Sequence, residues 1–86
     1  MIHELKTWKN FFDAILDGRK PFDVRKNDRD FKVGDIIIFR EWNTIKVDYT
    51  GRECKRRVTY ILFGFGLMPD CVALGLEKIE EDGVDE

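Results

Sequence analysis

The segment Gly18-Arg19-Lys20-Pro21-Phe22-Asp23-Val24-Arg25-Lys26-Asn27-Asp28-Arg29 gathers five basic side chains within twelve positions. Arginine offers a rigid planar fork that matches phosphate oxygens and stacks on bases. Asn27 can both donate to and accept from a base edge. On a strand, Asp23, Arg25 and Asn27 share one face, opposite Phe22 and Val24, because side chains alternate. Lys20, Asp23 and Arg25 therefore form the inner set of a candidate anion or nucleotide site. Asn27 and Arg29 lie at its rim, and Lys26 joins only if the following loop curls back. His3, Lys6, Arg40 and Arg52 are secondary candidates, and Trp42 and Phe65 are candidate stacking platforms.

Each of these groups also has a purely structural use. Lys20 and Arg25 can pair with Asp23 to fix a loop, worth under about 1 kcal/mol if exposed. Arg52, Lys55, Arg56 and Arg57 suit the solvated edge of a strand, where charge opposes aggregation. His3 reads equally as a satisfied strand residue, and Trp42 and Phe65 as hydrophobes covering a barrel end.

The elements that must position this set follow from apolar spacing. Residues 1–6 alternate loosely as a short strand. Thr7 fits a helix N-cap. Trp8, Phe11, Phe12, Ile15 and Leu16 follow at helical spacing as one apolar stripe, with Trp8, Phe11 and Phe12 expected in the core. Gly18 can end the helix in a left-handed conformation, and Pro21 prevents its continuation. Phe22 to Lys26 reads as a strand, and Ile36 to Trp42 as an interior strand apolar on both faces at its start. Residues 43–48 read as a loop and Gly51 as a turn. Arg52 to Leu62 reads as a long strand with Val58, Tyr60 and Leu62 on one face. A glycine-punctuated loop over residues 63–70 precedes a last strand from Cys71 to Lys78. The expected fold is mostly β, a small and largely antiparallel barrel covered at one end by the N-terminal helix.

Length and composition bound the rest. The chain has 86 residues, 43% of them hydrophobic and 37% charged. That suits one domain with one core and excludes a disordered chain. The division expected is a domain over residues 1–78 and a disordered acidic tail over 79–86. Residues 77–86 carry six acids against Lys78 alone, whereas residues 1–76 carry fourteen basic against eleven acidic side chains. A weakly basic body with an acidic tail points mildly to nucleic acid, and equally to a tail that only aids solubility. Cys54 and Cys71 lack metal spacing and read as buried thiols rather than a disulfide framework. No metal or cofactor is expected. With no bilayer-length apolar run and no signal-peptide pattern, a cytoplasmic protein without membrane contact is expected.

Gly18-Arg19-Lys20 after a helix, followed by a strand with acid-x-Arg, resembles the signature of the ASCH domain of the PUA-like superfamily. His3-Glu4-Leu5-Lys6, Asp23-Val24-Arg25-Lys26-Asn27-Asp28-Arg29, Val33-Gly34-Asp35, Arg40-Glu41-Trp42, Tyr49-Thr50-Gly51-Arg52 and Val58-Thr59-Tyr60-Ile61-Leu62 resemble a small uncharacterised ASCH-like family of phages and prophages. The likeness extends to Lys78. It implies a PUA-like β-barrel with a cleft beside the helix, and RNA binding. Some small relatives are enzymes, one group removing acetyl from modified cytidine and another assigned a ribonuclease activity. In the deacetylating group a catalytic lysine follows the helix-ending glycine, with a threonine shortly after and a distant glutamate. Lys20 matches the lysine, Asp23 stands at the threonine position, and the segment carrying the glutamate has no counterpart here.

The first functional expectation is a nucleic-acid-binding module, for single-stranded or modified RNA or a nucleotide, using a basic cleft beside the helix. The second is a small nucleoside or RNA hydrolase centred on Lys20, with Asp23 or His3 carrying the proton. The third is a phage protein that docks on a host protein. Convergence of Lys20, Asp23 and Arg25 in a pocket would favour the first two, and flat scattered charge the third.

Overall fold

Alternation along the first strand, β1 (Ile2–Trp8), buries His3, Leu5 and Thr7 and leaves Ile2, Glu4, Lys6 and Trp8 outside. In the computed structural model, which describes residues 1–79, β1 is followed by α1 (Lys9–Leu16), β2 (Phe22–Lys26), β3 (Ile36–Asn43), β4 (Asp48–Phe63) and β5 (Cys71–Lys78). The strands form one five-stranded sheet in the order β1-β3-β4-β5-β2. The β1–β3 pair is parallel and the other three pairs are antiparallel. The sheet curls into a half-barrel, as the barrel expectation anticipated, with β1 and β2 as its terminal strands. The expected tail falls almost wholly on residues 80–86, which lie outside the described residues.

The core lies between the concave face of the sheet and α1. Phe12 and Ile15 of the helix meet Leu5, Ile37, Phe39, Val58, Val72 and Leu74, all buried. Trp8 and Phe11, expected in the core, are 55% and 45% exposed. Phe12 and Ile15 centre the buried face of the helix, and Phe11, a further 100° round it, is left at the margin of that face. Thr7 is not the N-cap. It ends the buried face of β1, and Trp8 takes the cap position without a side-chain cap bond. The C-terminal turn of α1 is held instead. Arg56 Nη2 donates to the carbonyls of Ile15 and Leu16, and Gly18 turns the chain at φ +90°.

Two further expectations are corrected in β4. The strand begins before Gly51, which lies inside it at φ +96° rather than making the hairpin turn. The register against β5 shifts between Val58 and Tyr60. This bulge gives Val58 and Tyr60 opposite fates, with Val58 fully buried and Tyr60 exposed. Gly75 sits opposite the bulge, where a Cβ would meet Thr59 Oγ1 at 2.9 Å.

A buried carboxylate fastens the strand starts. Asp35 Oδ2 accepts from the Lys32 amide at 3.0 Å and lies 2.8 Å from His3 Nε2, and Oδ1 accepts from the Met1 amine at 3.1 Å. Its carbonyl accepts from the Val58 amide. Burial alone would raise the Asp35 pKa, but the bonds from His3, the Lys32 amide and the terminal amine outweigh it and lower the value to about 2. A carboxyl depressed below its unfolded value stabilises the fold above about pH 4 and loses that contribution as pH falls toward 2. Chemical denaturation of the parent and Asp35→Asn should therefore show a stability gap that is full at pH 6 and closes in acid. A gap unchanged down to pH 2 would contradict the assignment. Phe12→Ala should cost about 3–5 kcal/mol in the same measurement, and an unchanged midpoint would mean that the ring is not the core anchor.

Candidate nucleic-acid interface

The terminal strands β1 and β2 face one another across the open side of the half-barrel. Guanidinium groups bridge this seam in place of a backbone ladder. Arg25 Nη2 donates to the Lys6 carbonyl at 3.1 Å and to Thr7 Oγ1 at 3.2 Å, and Arg29 Nη1 donates to the Glu4 carbonyl at 3.2 Å. Beside α1 the seam widens into a groove of about 580 Å³.

Strand alternation dictates what lines the groove. In β2 the expected two faces are present, but the buried member is the charged one. Asp23 is only 6% exposed, while Phe22 and Val24 are exposed. A buried carboxylate persists only when paired and hydrogen-bonded. Asp23 Oδ1 accepts from Lys20 Nζ at 2.7 Å and Oδ2 from Arg25 Nε at 2.6 Å. Lys20 Nζ also lies 5.1 Å from the Phe22 ring centroid and 5.5 Å from that of Phe11. Lys6, Trp8 and Lys26 complete the wall. The groove thus carries four cations against one carboxylate, interleaved with exposed rings of Trp8, Phe11 and Phe22.

The inner set expected from the sequence, Lys20, Asp23 and Arg25, converges here, and Lys26 and Lys6 join it. Asn27 does not. Its amide donates to the Asp70 carbonyl beyond the end of β2, outside the groove lining. Arg29 curls back to the seam as a strut at Glu4 without lining the groove. His3 does not join the set. It is buried against Asp35 and Phe31, away from the groove lining. Arg52 clamps Glu41 of β3 to Asp13 of α1. Its bond holds the Glu41 carboxyl below its ordinary pKa against the opposing effect of burial. Arg40 belongs to the outer face of the sheet, over the Tyr49 ring. Sequence reasoning missed Trp8 and Phe11 as groove walls, because both fit the helical stripe.

The paired geometry makes Asp23 a positioning residue. Asp23→Asn keeps the shape but leaves Lys20 and Arg25 facing a neutral amide. It should cost about 1–3 kcal/mol in urea unfolding. It should also weaken ligand binding, although it makes the groove more positive. Tighter binding by the variant would mean that net charge, not fixed geometry, governs the site.

The match to known proteins covers this whole arrangement. Residues 2–76 match the family model described as "Domain of unknown function (DUF3850)". Over 58 residues the chain is 40% identical to an "Uncharacterized 12.9 kDa protein in GpA 3'region" of Escherichia phage P2, an alignment covering 67% of this chain and 51% of that protein. The chain therefore matches about half the length of this phage relative. Every strand and the helix that build the groove fall within the family match, and the chain belongs to the DUF3850 family.

Proposed function

We propose that the protein is a nucleic-acid-binding module whose ligand is single-stranded or modified RNA, held in the seam groove beside α1. One observation carries this reading: fixed cations and exposed aromatic rings interleave in the same groove. Phosphates answer to Lys6, Lys20, Arg25 and Lys26, and unpaired bases can stack on Trp8, Phe11 or Phe22. Convergence of the inner set supports a ligand pocket over docking of a host protein on scattered charge. The helix, the Gly18-Arg19-Lys20 turn and the acid-x-Arg strand stand in the order that the ASCH resemblance implies, so we propose a PUA-like relationship as well.

The Lys20–Asp23 contact also favours a second reading, a small hydrolase acting on a nucleoside. With His3 committed to the core, Asp23 is the group left beside Lys20 to carry a proton.

Binding of short RNA pools, titrated with salt, tests the first reading. With about four or five phosphate contacts, raising salt from about 50 to 200 mM should weaken binding on the order of a hundredfold. Lys26→Ala should reduce that slope, Arg29→Ala, outside the groove lining, should leave it nearly unchanged, and Arg25→Ala should also erode preference among ligands. No binding at low salt would sink the RNA reading. If Lys20→Ala binds normally but abolishes turnover of acetylcytidine, the hydrolase reading replaces it.

A further inference from the structure

The seam groove does not end at Trp8. That side chain closes β1 and lines a second groove of about 460 Å³, shared with Asn10, Glu41, Trp42 and Asn43. Trp8 is the register partner of Trp42 across β1–β3, and Trp42 is the register partner of Tyr49 across β3–β4. The outer face of three adjacent strands therefore carries a row of rings, Trp8, Trp42 and Tyr49. One step back, Lys6 partners Arg40. Each of these cations rests on a ring, with Lys6 Nζ 4.2 Å from the Trp42 centroid and the Arg40 guanidinium carbon 4.1 Å from that of Tyr49. Lys6 and Trp8 both belong to the seam groove as well.

We infer that the ligand is a strand of about four or five nucleotides, running from the seam groove over Trp8 and onto the Trp42–Tyr49 face, with the last bases on those rings. This rests on the RNA reading of the seam groove. A row of rings on a sheet surface with cations alongside is the arrangement that stacks successive unpaired bases while their phosphates are neutralised. In the free protein the cations occupy the ring faces. An arriving phosphate offers Lys6 a stronger partner, and the freed Trp42 face takes a base, while Arg40 stays near Tyr49 through its pairs with Glu4 and Glu53 at 3.5 Å. The second groove adds the side-chain amide of Asn10 and the Nδ2 of Asn43, whose Oδ1 already accepts from the Ile45 and Lys46 amides, and these groups suit the hydrogen-bonding edge of a base more than another phosphate. A duplex hides its base faces and does not fit.

Uridine monophosphate, the dinucleotide UpU, the pentanucleotide UpUpUpUpU and a short A-form duplex serve as probes, each competing against a fluorescein-labelled single strand in an anisotropy assay. The pentanucleotide should bind the parent protein at least about tenfold more tightly than the monophosphate. Trp42→Ala and Tyr49→Ala should each remove about tenfold from pentanucleotide affinity and leave monophosphate affinity unchanged. Trp42→Phe, which keeps a ring, should retain most of it. Arg25→Ala should weaken both probes, since it acts in the seam groove. A pentanucleotide no tighter than the monophosphate would overturn the strand path while leaving the seam groove intact. So would ring variants that bind the pentanucleotide like the parent, or a duplex that competes as well as the single strand. Failure of the monophosphate and the strand alike would remove the RNA reading, and this inference with it.

Discussion

A carboxylate taken out of water must be met by fixed positive groups, and in this fold that requirement is placed at Asp23. The β2 strand turns its charged face inward, so Lys20 from the helix exit and Arg25 from the strand itself are drawn onto the two carboxylate oxygens. The two cations lose their freedom and gain a defined spacing. The energy of the pair matters less than this ordering. A buried ion pair breaks roughly even against apolar packing, and its return is geometry. A groove with pre-positioned cations loses less entropy when an anion binds than one with free lysines.

The half-barrel supplies the second condition. Closing the sheet with a β1–β2 ladder would have left no room for a ligand, and leaving both edges bare would have invited association with another strand. The arginine struts settle the conflict. Arg25 and Arg29 satisfy the carbonyls of Lys6 and Glu4 along the free edge of β1 and hold the seam at a side chain's width. Elsewhere the frame is fastened by charge in the same manner, Asp35 at the strand starts and the Arg52–Glu41–Asp13 set beneath the helix. Such a small core gains from these ties.

Much of this was legible in the sequence because it rests on local periodicity. The helix, the five strands in outline and the inner set of Lys20, Asp23 and Arg25 all follow from local spacing. What escaped depends on partners distant in the chain. Phe11 and Trp8 match the apolar stripe of α1, and only the position of β2 across the seam turns them into groove walls. The parallel β1–β3 pair and the bulge between Val58 and Tyr60 are products of register, which composition does not encode locally. His3 carried the residue type of a proton carrier, yet Asp35, 32 positions away, commits it to the core. The Trp8–Trp42–Tyr49 row lies on three different strands, and nothing in the linear order announces it.

The central claim is that the seam beside α1 receives a nucleic-acid strand, and a map of backbone amides tests it most directly. In a titration of the isotopically labelled protein with a short single-stranded RNA, followed by two-dimensional NMR, the account predicts shifts concentrated at residues 6–11 and 20–26. They should extend to residues 40–43 and 49, with residues 64–69 on the β4–β5 loop left in place. Shifts confined to that loop, or no shifts at a ligand excess in low salt, would contradict it.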